Sequence, residues 1–139
     1  MDKIFLDVNI FQDVLSARPG YDASLYLIDL IHRKRLNGAC AAFTVPTLWY
    51  LNRKAANPRE KIRTLLKNFW IISLNASMVK KVLSHHSFGD LEDELQYLAA
   101  VSSHCQAVIT RNTSDFPKQP LFVATPEDFL ERLSLSKNS

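Results

Sequence analysis

The stretch IFLDVNIFQDVL, residues 4–15, joins a short apolar run to a carboxylate. Ile4 to Leu6 lead directly into Asp7, and Asp13 interrupts the apolar segment that follows. An unpaired charge is costly to bury, so the position of Asp7 at the end of this run needs an explanation. The run is too short and too uniformly apolar for an amphipathic helix. It predicts a buried parallel strand, with a helix directly after it.

The rest of the chain repeats this order of strand and helix. Further runs that predict strands are ACAAFTV (39–45), WIISL (70–74), AVIT (107–110) and LFVA (121–124). Helical patterns occupy IFQDVLSAR (10–18), 21–38, TLWYLNRKAA (47–56) after Pro46, 59–69, 76–86, 90–104 and TPEDFLERL (125–133), with Asn75 and Thr125 as expected N-caps. Five strands alternating with helices predict a three-layer α/β/α domain with a five-stranded, mainly parallel sheet.

Length and composition predict one ordinary globular domain. The 139 residues suit a single domain over 1–139, with a frayed tail from about 134 to 139, and 47% of them are hydrophobic. We expect no membrane partner and a cytoplasmic location, since no apolar run approaches spanning length and no signal-peptide pattern is present.

Cys40 and Cys105 are far apart in apolar surroundings and are expected to be reduced core residues. The four histidines do not have the spacing of a zinc site.

Charge is distributed unevenly along a chain whose formal net charge is +3. Six basic residues lie between Arg53 and Lys67 against the single acid Glu60, whereas the segment from Asp90 to Glu94 is strongly acidic. A basic field beside an acidic cluster is what a metal-using nuclease needs, although each patch alone also describes a solvated helix face.

Three acids fall where a parallel sheet usually binds its ligand, beyond the carboxyl ends of its strands. Asp7 follows the first strand, Asp115 follows the fourth, and Asp93 opens the helix that leads into the fourth. If the first and fourth strands are neighbours, these carboxylates converge, and they repel one another unless a cation neutralises them. Hard oxygen ligands favour Mg²⁺ or Mn²⁺, which can position a water and stabilise charge on a phosphodiester. Asp7 is therefore predicted to be a metal ligand.

Each acid also has a plainer interpretation. Asp90 and Asp93 stand at the N-cap and N3 positions of their helix, and for Asp90 capping is the favoured role. Asp115 could be a turn residue, Asn9 could cap the first helix, and Asp13 could face solvent. The joint placement of the acids, rather than any one of them, carries the prediction.

Four motifs resemble the PIN domain family and its bacterial VapC-like branch: DVN (7–9), DLEDELQYLAA (90–100), TRNTSDF (110–116) and TPEDFL (125–130). The resemblance covers nearly the whole chain. It implies an Mg²⁺- or Mn²⁺-dependent ribonuclease of single-stranded RNA, often a toxin held by an antitoxin. The implied catalytic and metal residues are Asp7, Asp93 and Asp115, with Asn9, Asp90, Thr110 and Asn112 in support.

The resemblance also implies a protein-binding groove. Trp49 and Tyr50 lie together in a basic helical region, and tryptophan and tyrosine are common anchors at interfaces, although either could be a core residue. We expect an antitoxin segment or a second copy of the chain at this surface, and hence a homodimer and a tighter complex with an antitoxin.

One expected acid is absent. The family usually has a glutamate in a TxxEL-like stretch after the second strand, but this sequence reads FTVPTLWYL and has Thr47 at the matching place. Asp90 or Glu92 could compensate, or the nuclease could be weak or inactive.

Two other functions stay open at this point. A decayed site would leave a non-catalytic RNA-binding or partner-binding module, which the missing glutamate favours. An aspartate-based phosphatase or receiver domain ranks third, because the second acid of its Asp-x-Asp opening is replaced by Asn9 and no convincing lysine follows a late strand.

Overall fold

The computed structural model describes residues 2–137, and its strands form one sheet. The strands are β1 (Lys3–Leu6), β2 (Asn37–Ala41), β3 (Trp70–Ile72), β4 (Ala107–Ile109) and β5 (Phe122–Ala124). Their order is β3-β2-β1-β4-β5, and all four neighbouring pairs are parallel. The predicted five-stranded parallel sheet is confirmed, and so is the adjacency of the first and fourth strands.

Helices cover both faces of the sheet. They are α1 (Val8–Leu15), α2 (Tyr21–His32), α3 (Thr44–Leu51), α4 (Pro58–Leu65), α5 (Ala76–Ser84), α6 (Leu91–Ser102) and α7 (Pro126–Lys137), with a one-turn 3-10 helix at Thr113–Asp115. Alternate residues of a strand face opposite layers. Ile4 and Leu6 accordingly pack in a core under α1 to α4 and α7, whereas Phe5 packs in a second core under α5 and α6. The three-layer α/β/α architecture is confirmed.

The boundary between the second strand and the third helix differs from the prediction. Strand β2 ends at Ala41, and α3 begins at Thr44, two residues before Pro46. Proline is tolerated in the first turn of a helix, where its missing N–H has no intrahelical partner in any case. Pro46 therefore lies inside the first turn of α3 instead of marking its start.

Capping explains several other helix boundaries. Asn75 and Thr125 accept hydrogen bonds from Met78 N and Asp128 N, at 2.9 and 3.1 Å, as expected of N-caps. Asp7, and not Asn9, caps α1.

The last helix extends further along the chain than the sequence pattern predicted. Helix α7 continues to Lys137, through most of the predicted frayed tail, while residues 138–139 of that tail lie outside the described range. The helix is held near its start by Phe129 and Leu130, which pack against the first core.

Both cysteines are buried free thiols, as predicted, and burial raises the pKa of Cys40 to about 12. Within residues 2–137, no helix combines the length and the apolar character needed to cross a bilayer.

Candidate active site at the carboxyl end of the sheet

Asp7 lies at the junction of β1 and α1 and is 1% exposed. Its Oδ2 accepts a hydrogen bond of 2.8 Å from Thr110 Oγ1, at the end of β4. Its Oδ1 accepts from Gln96 Nε2 at 3.0 Å and, at a longer 3.3 Å, from Asn9 N. Both carboxylate oxygens are thus bound by donors, which explains how this acid tolerates burial. Thr110, expected to be a supporting residue, contacts Asp7 directly, whereas Asn9 contributes its backbone N–H.

Gln96 is a site residue that the sequence analysis missed. It is fully buried on α6, and its Oε1 accepts a 3.0 Å hydrogen bond from Val8 N while its Nε2 donates to Asp7. The available signal was a polar side chain close to Tyr97, Ala99 and Ala100 on the apolar side of a helix. A buried amide needs partners, and such a position indicates a specific long-range contact.

Asp90 and Asp93 form a capping box at the start of α6. Asp90 Oδ1 accepts from Asp93 N at 2.8 Å, and Asp93 Oδ2 accepts from Asp90 N at 3.0 Å. Capping is confirmed for both acids.

The pKa of Asp93 is also affected by the charge of Asp7, the buried acid directly after β1. Burial raises the pKa of Asp93 to about 6, and the negative charges of Asp90 and Asp7 add to the rise. The pKa of Glu92 is raised too, mainly by burial and then by the charges of Asp7, Asp90 and Asp93. Acids that hinder one another's ionisation form a site where a bound cation is favoured.

The TRN turn, residues 110–116, contains both Thr110 and the third predicted acid, Asp115. Asn112 N donates to Thr110 Oγ1 at 3.0 Å, and Asp115 N donates to Asn112 O at 2.9 Å. Asp115 lies in the 3-10 helix and is exposed.

Gly89 brings the Asp115 segment close to Asp93. Its φ is +50°, and a Cβ placed on it would lie 2.6 Å from Asp93 Oδ2 and 2.8 Å from the backbone oxygen of Asp115. Only glycine fits here without moving one of these segments, because the backbone angle and the space both exclude a side chain. The backbone of Asp115 therefore borders the Asp93 carboxylate across Gly89.

The three predicted ligands are not assembled into a cage. Considering residues 2–137, no three Asp, Glu, His or Cys side chains form a group that could hold a metal ion. Helix α3 contains no acidic residue. Thr47, at the position where the resemblance implies a glutamate, is half-buried, and its Oγ1 donates to Phe43 O at 2.9 Å. The charge of Asp7 does contribute to the raised pKa of Asp93. A pair of carboxylates still suits Mg²⁺, which commonly binds through one or two carboxylates and completes its shell with water and phosphate oxygens.

Arg111 connects the TRN turn to α1, to α7 and to the loop between α1 and α2. Its guanidinium donates to Asp13 Oδ2 at 3.1 Å, Glu127 Oε1 at 2.8 Å and Gly20 O at 2.6 Å. Asp13 is 5% exposed and also pairs with Arg18 at 3.3 Å, so the expectation that it faces solvent is wrong. Its charge is buried because two guanidinium groups neutralise it.

Glu94 holds the loop that precedes α6. Its Oε1 accepts from Ser87 N at 2.8 Å and Phe88 N at 3.2 Å, and His86 Nδ1 lies 2.9 Å away. The hydrogen bond from Ser87 N, together with those of Phe88 and His86, holds the pKa of Glu94 below its usual range. The loop carrying Gly89 is therefore tied to the helix that carries Asp93.

The parallel α/β/α sheet, with acids after its central strand and at the start of a facing helix, fits the PIN-like class of domain. A family model described as "PIN domain" matches residues 3–114, and the chain belongs to that family. Asp7, Asp93, Thr110 and Asn112 lie within the matched region, and Asp115 lies one residue beyond it.

Individual relatives agree with this assignment. The chain is 25% identical to Ribonuclease VapC1 of Aquifex aeolicus (strain VF5) over 141 residues, which cover 94% of this chain and 95% of that protein. Among solved structures, it resembles VapBC2 of Rickettsia felis bound to a promoter DNA fragment, with a TM-score of 0.64, 18% identity, and coverage of 87% and 96% of the two chains. It also resembles a toxin-antitoxin complex from Klebsiella pneumoniae, with a TM-score of 0.65, 22% identity, and coverage of 88% and 97%. At these identities the structural likeness supports the fold alone.

Proposed function

We propose that this chain is a metal-dependent endoribonuclease that cleaves single-stranded RNA, and that it is the toxin of a toxin–antitoxin pair. The observation that carries the proposal is the buried carboxylate of Asp7 at the carboxyl end of the sheet, which Thr110 and Gln96 hold by hydrogen bonds. The similarity of the chain to Ribonuclease VapC1, over 94% of this chain and 95% of that protein, supports the same activity. Family membership disfavours the aspartate-based phosphatase.

The residues divide the proposed work between them. Asp7 and Asp93 would hold Mg²⁺ or Mn²⁺, and Asp115, exposed in the 3-10 helix, would add a third carboxylate. When bound, the metal supplies an activated water and neutralises charge on the phosphodiester. Thr110 orients Asp7 through its 2.8 Å hydrogen bond, and Asn112 braces Thr110.

A second candidate is a PIN-like RNA-binding or partner-binding module with little or no catalysis. The observation that favours it is Thr47, whose hydroxyl donates to the backbone of its own helix where the family resemblance implies a glutamate. Fewer carboxylates bind a dication less tightly, since each removed charge weakens the attraction.

We propose that an antitoxin segment binds the groove between α3 and α4. The groove has a volume of about 580 Å³, is lined by Val45, Pro46, Trp49, Ile62, Leu66 and Ile71, and is flanked by Arg59 and Arg63. Trp49 and the neighbouring Tyr50 are 41% and 59% exposed, as expected of interface anchors rather than core residues. The toxin–antitoxin complex among the structural relatives supports such a partner.

The two arginines suggest that this partner segment is apolar and carries acidic side chains. We also propose a homodimer, because Trp70 on β3, a strand at the edge of the sheet, is 61% exposed and lies outside the lining of that groove.

The experiment that tests the activity is cleavage of single-stranded RNA with Mg²⁺ or Mn²⁺, with EDTA as the control. Cleavage that requires the metal and stops in EDTA supports the nuclease. RNA binding without cleavage at any metal concentration would favour the second candidate.

A further inference from the structure

We propose that Gln96 is a positioning residue that fixes the carboxylate of Asp7 and its placement relative to Asp93. The proposal rests on the proposed nuclease function. Gln96 would not contact RNA or metal, and it would act through Asp7.

The hydrogen bonds of Gln96 define how its amide is oriented. Val8 N can only donate, and a carboxylate oxygen of Asp7 can only accept, so Oε1 must face Val8 and Nε2 must face Asp7. One fully buried side chain thereby links α6 both to the backbone at the start of α1 and to the acid that precedes it.

Core packing alone does not explain a glutamine at this position. Burying an amide carries a desolvation cost that an apolar side chain avoids, and Tyr97, Ala99 and Ala100 around it on α6 are core residues. The amide adds an acceptor for Val8 N and a donor for the carboxylate of Asp7. Together with Thr110, it gives each oxygen of Asp7 a side-chain donor, so the carboxylate is held in one orientation.

Gln96 also sets the position of α6 against β1. Residues three apart on a helix lie on the same face, so Gln96 and Asp93 share one side of α6. A hydrogen bond from Gln96 to Asp7 therefore holds the turn of α6 that carries Asp93 beside the end of β1. Partners that orient metal ligands in this way commonly change metal affinity or activity when they are replaced.

The test compares Gln96→Met with Gln106→Met. Methionine has a similar length to glutamine and suits a core, but it lacks the donor and the acceptor. Gln106 is the matched control because its Oε1 accepts from Lys3 N at 2.7 Å, near the opposite end of β1 from Asp7. For Gln96→Met we expect Mn²⁺ affinity, measured by calorimetry without RNA, and kcat each to fall about tenfold or more. KM should change little, and Gln106→Met should match the wild type.

A double-mutant cycle separates positioning from general stability. Thr110→Val removes the other side-chain donor to Asp7, so its effect on kcat should be less than multiplicative with that of Gln96→Met. Independent, multiplicative effects would contradict a shared action on Asp7. If Gln96→Met does not fold, Gln96→Asn keeps the amide but is one methylene too short for both contacts, and it should show the same losses.

The outcomes distinguish this inference from the proposed function. Wild-type cleavage with unchanged kcat and Mn²⁺ affinity in the Gln96 variants would overturn the role of Gln96 and leave the nuclease standing. Mn²⁺ binding without cleavage by the wild type would overturn the nuclease, and Gln96 would be judged on Mn²⁺ affinity alone. A wild type that neither binds Mn²⁺ nor cleaves RNA would overturn both.

Discussion

Asp93 and Asp90 hydrogen-bond reciprocally across the first turn of α6, each carboxylate accepting from the backbone N–H of the other residue. The helix N-terminus stabilises negative charge at Asp93, while burial and the nearby charge of Asp7 oppose it. The net result is the raised pKa of about 6. One side chain therefore caps a helix and contributes to the acidic site, and substitutions can separate these two roles.

Asp93→Asn should abolish most RNA cleavage without unfolding the protein. Asparagine keeps an acceptor for Asp90 N, so the capping box loses little, whereas the site loses a charge. We expect cleavage to fall by roughly 100-fold or more, the size of loss seen when a key electrostatic group is removed from an active site. Cleavage assays and thermal unfolding provide the two measurements. Asp22→Asn, in the first turn of α2, is the control and should behave like the wild type. Full activity in Asp93→Asn would remove this residue from the catalytic assignment.

Thr47→Glu should tighten Mn²⁺ binding and raise any cleavage, because it restores a carboxylate at the place where the family resemblance implies one. The position is half-buried on α3, and the substitution gives up a hydrogen bond to Phe43 O. Thr47→Gln is the matched control for size, and calorimetric titration compares the two. Equal Mn²⁺ affinities would mean that Thr47 is not the matching position, or that Asp90 or Glu92 already supplies the charge.

The folded state should lose stability in acid through Glu94. Its pKa is lowered on folding from an ordinary 4.5, so its contribution is fully present above that value and is lost as pH falls through the lower folded-state pKa. Glu94→Gln should flatten this acidic part of the stability curve. Urea unfolding of both proteins between pH 6 and pH 3 measures the effect. Parallel curves would show that Glu94 does not anchor the loop at Ser87 and Phe88 through its charge.

The groove between α3 and α4 should bind the product of a neighbouring antitoxin gene. Trp49→Asp places a charge among apolar lining residues and should prevent complex formation upon co-expression. Leu83→Asp is the control, since Leu83 is 67% exposed on α5 in the opposite layer. Light scattering should show a homodimer of the free chain, and the complex should lack nuclease activity. An unchanged complex in Trp49→Asp would place the partner elsewhere.

Local sequence patterns predicted the strands, the sheet architecture and most helix caps, since these depend on neighbouring residues and short periodicities. They did not reveal Gln96, whose contact with Asp7 spans 89 positions. They were wrong about Asp13, because its partner Arg111 is 98 positions away and no periodicity records that pairing. Local patterns place Asp7 and Asp93 at a strand end and a helix start, whereas the exposed position of Asp115 follows from the 3-10 helix at Thr113–Asp115, which they did not predict.

The most direct test is a crystal structure of the protein soaked in Mn²⁺, with anomalous diffraction used to locate the ion. We expect an anomalous peak from an Mn²⁺ ion bound by the carboxylates of Asp7 and Asp93, with water completing the shell and Asp115 contacting the ion directly or through water. The same soak of Asp93→Asn should lose most of that peak. A wild-type crystal with no Mn²⁺ between Asp7 and Asp93, under conditions in which the protein cleaves RNA, would contradict the central claim.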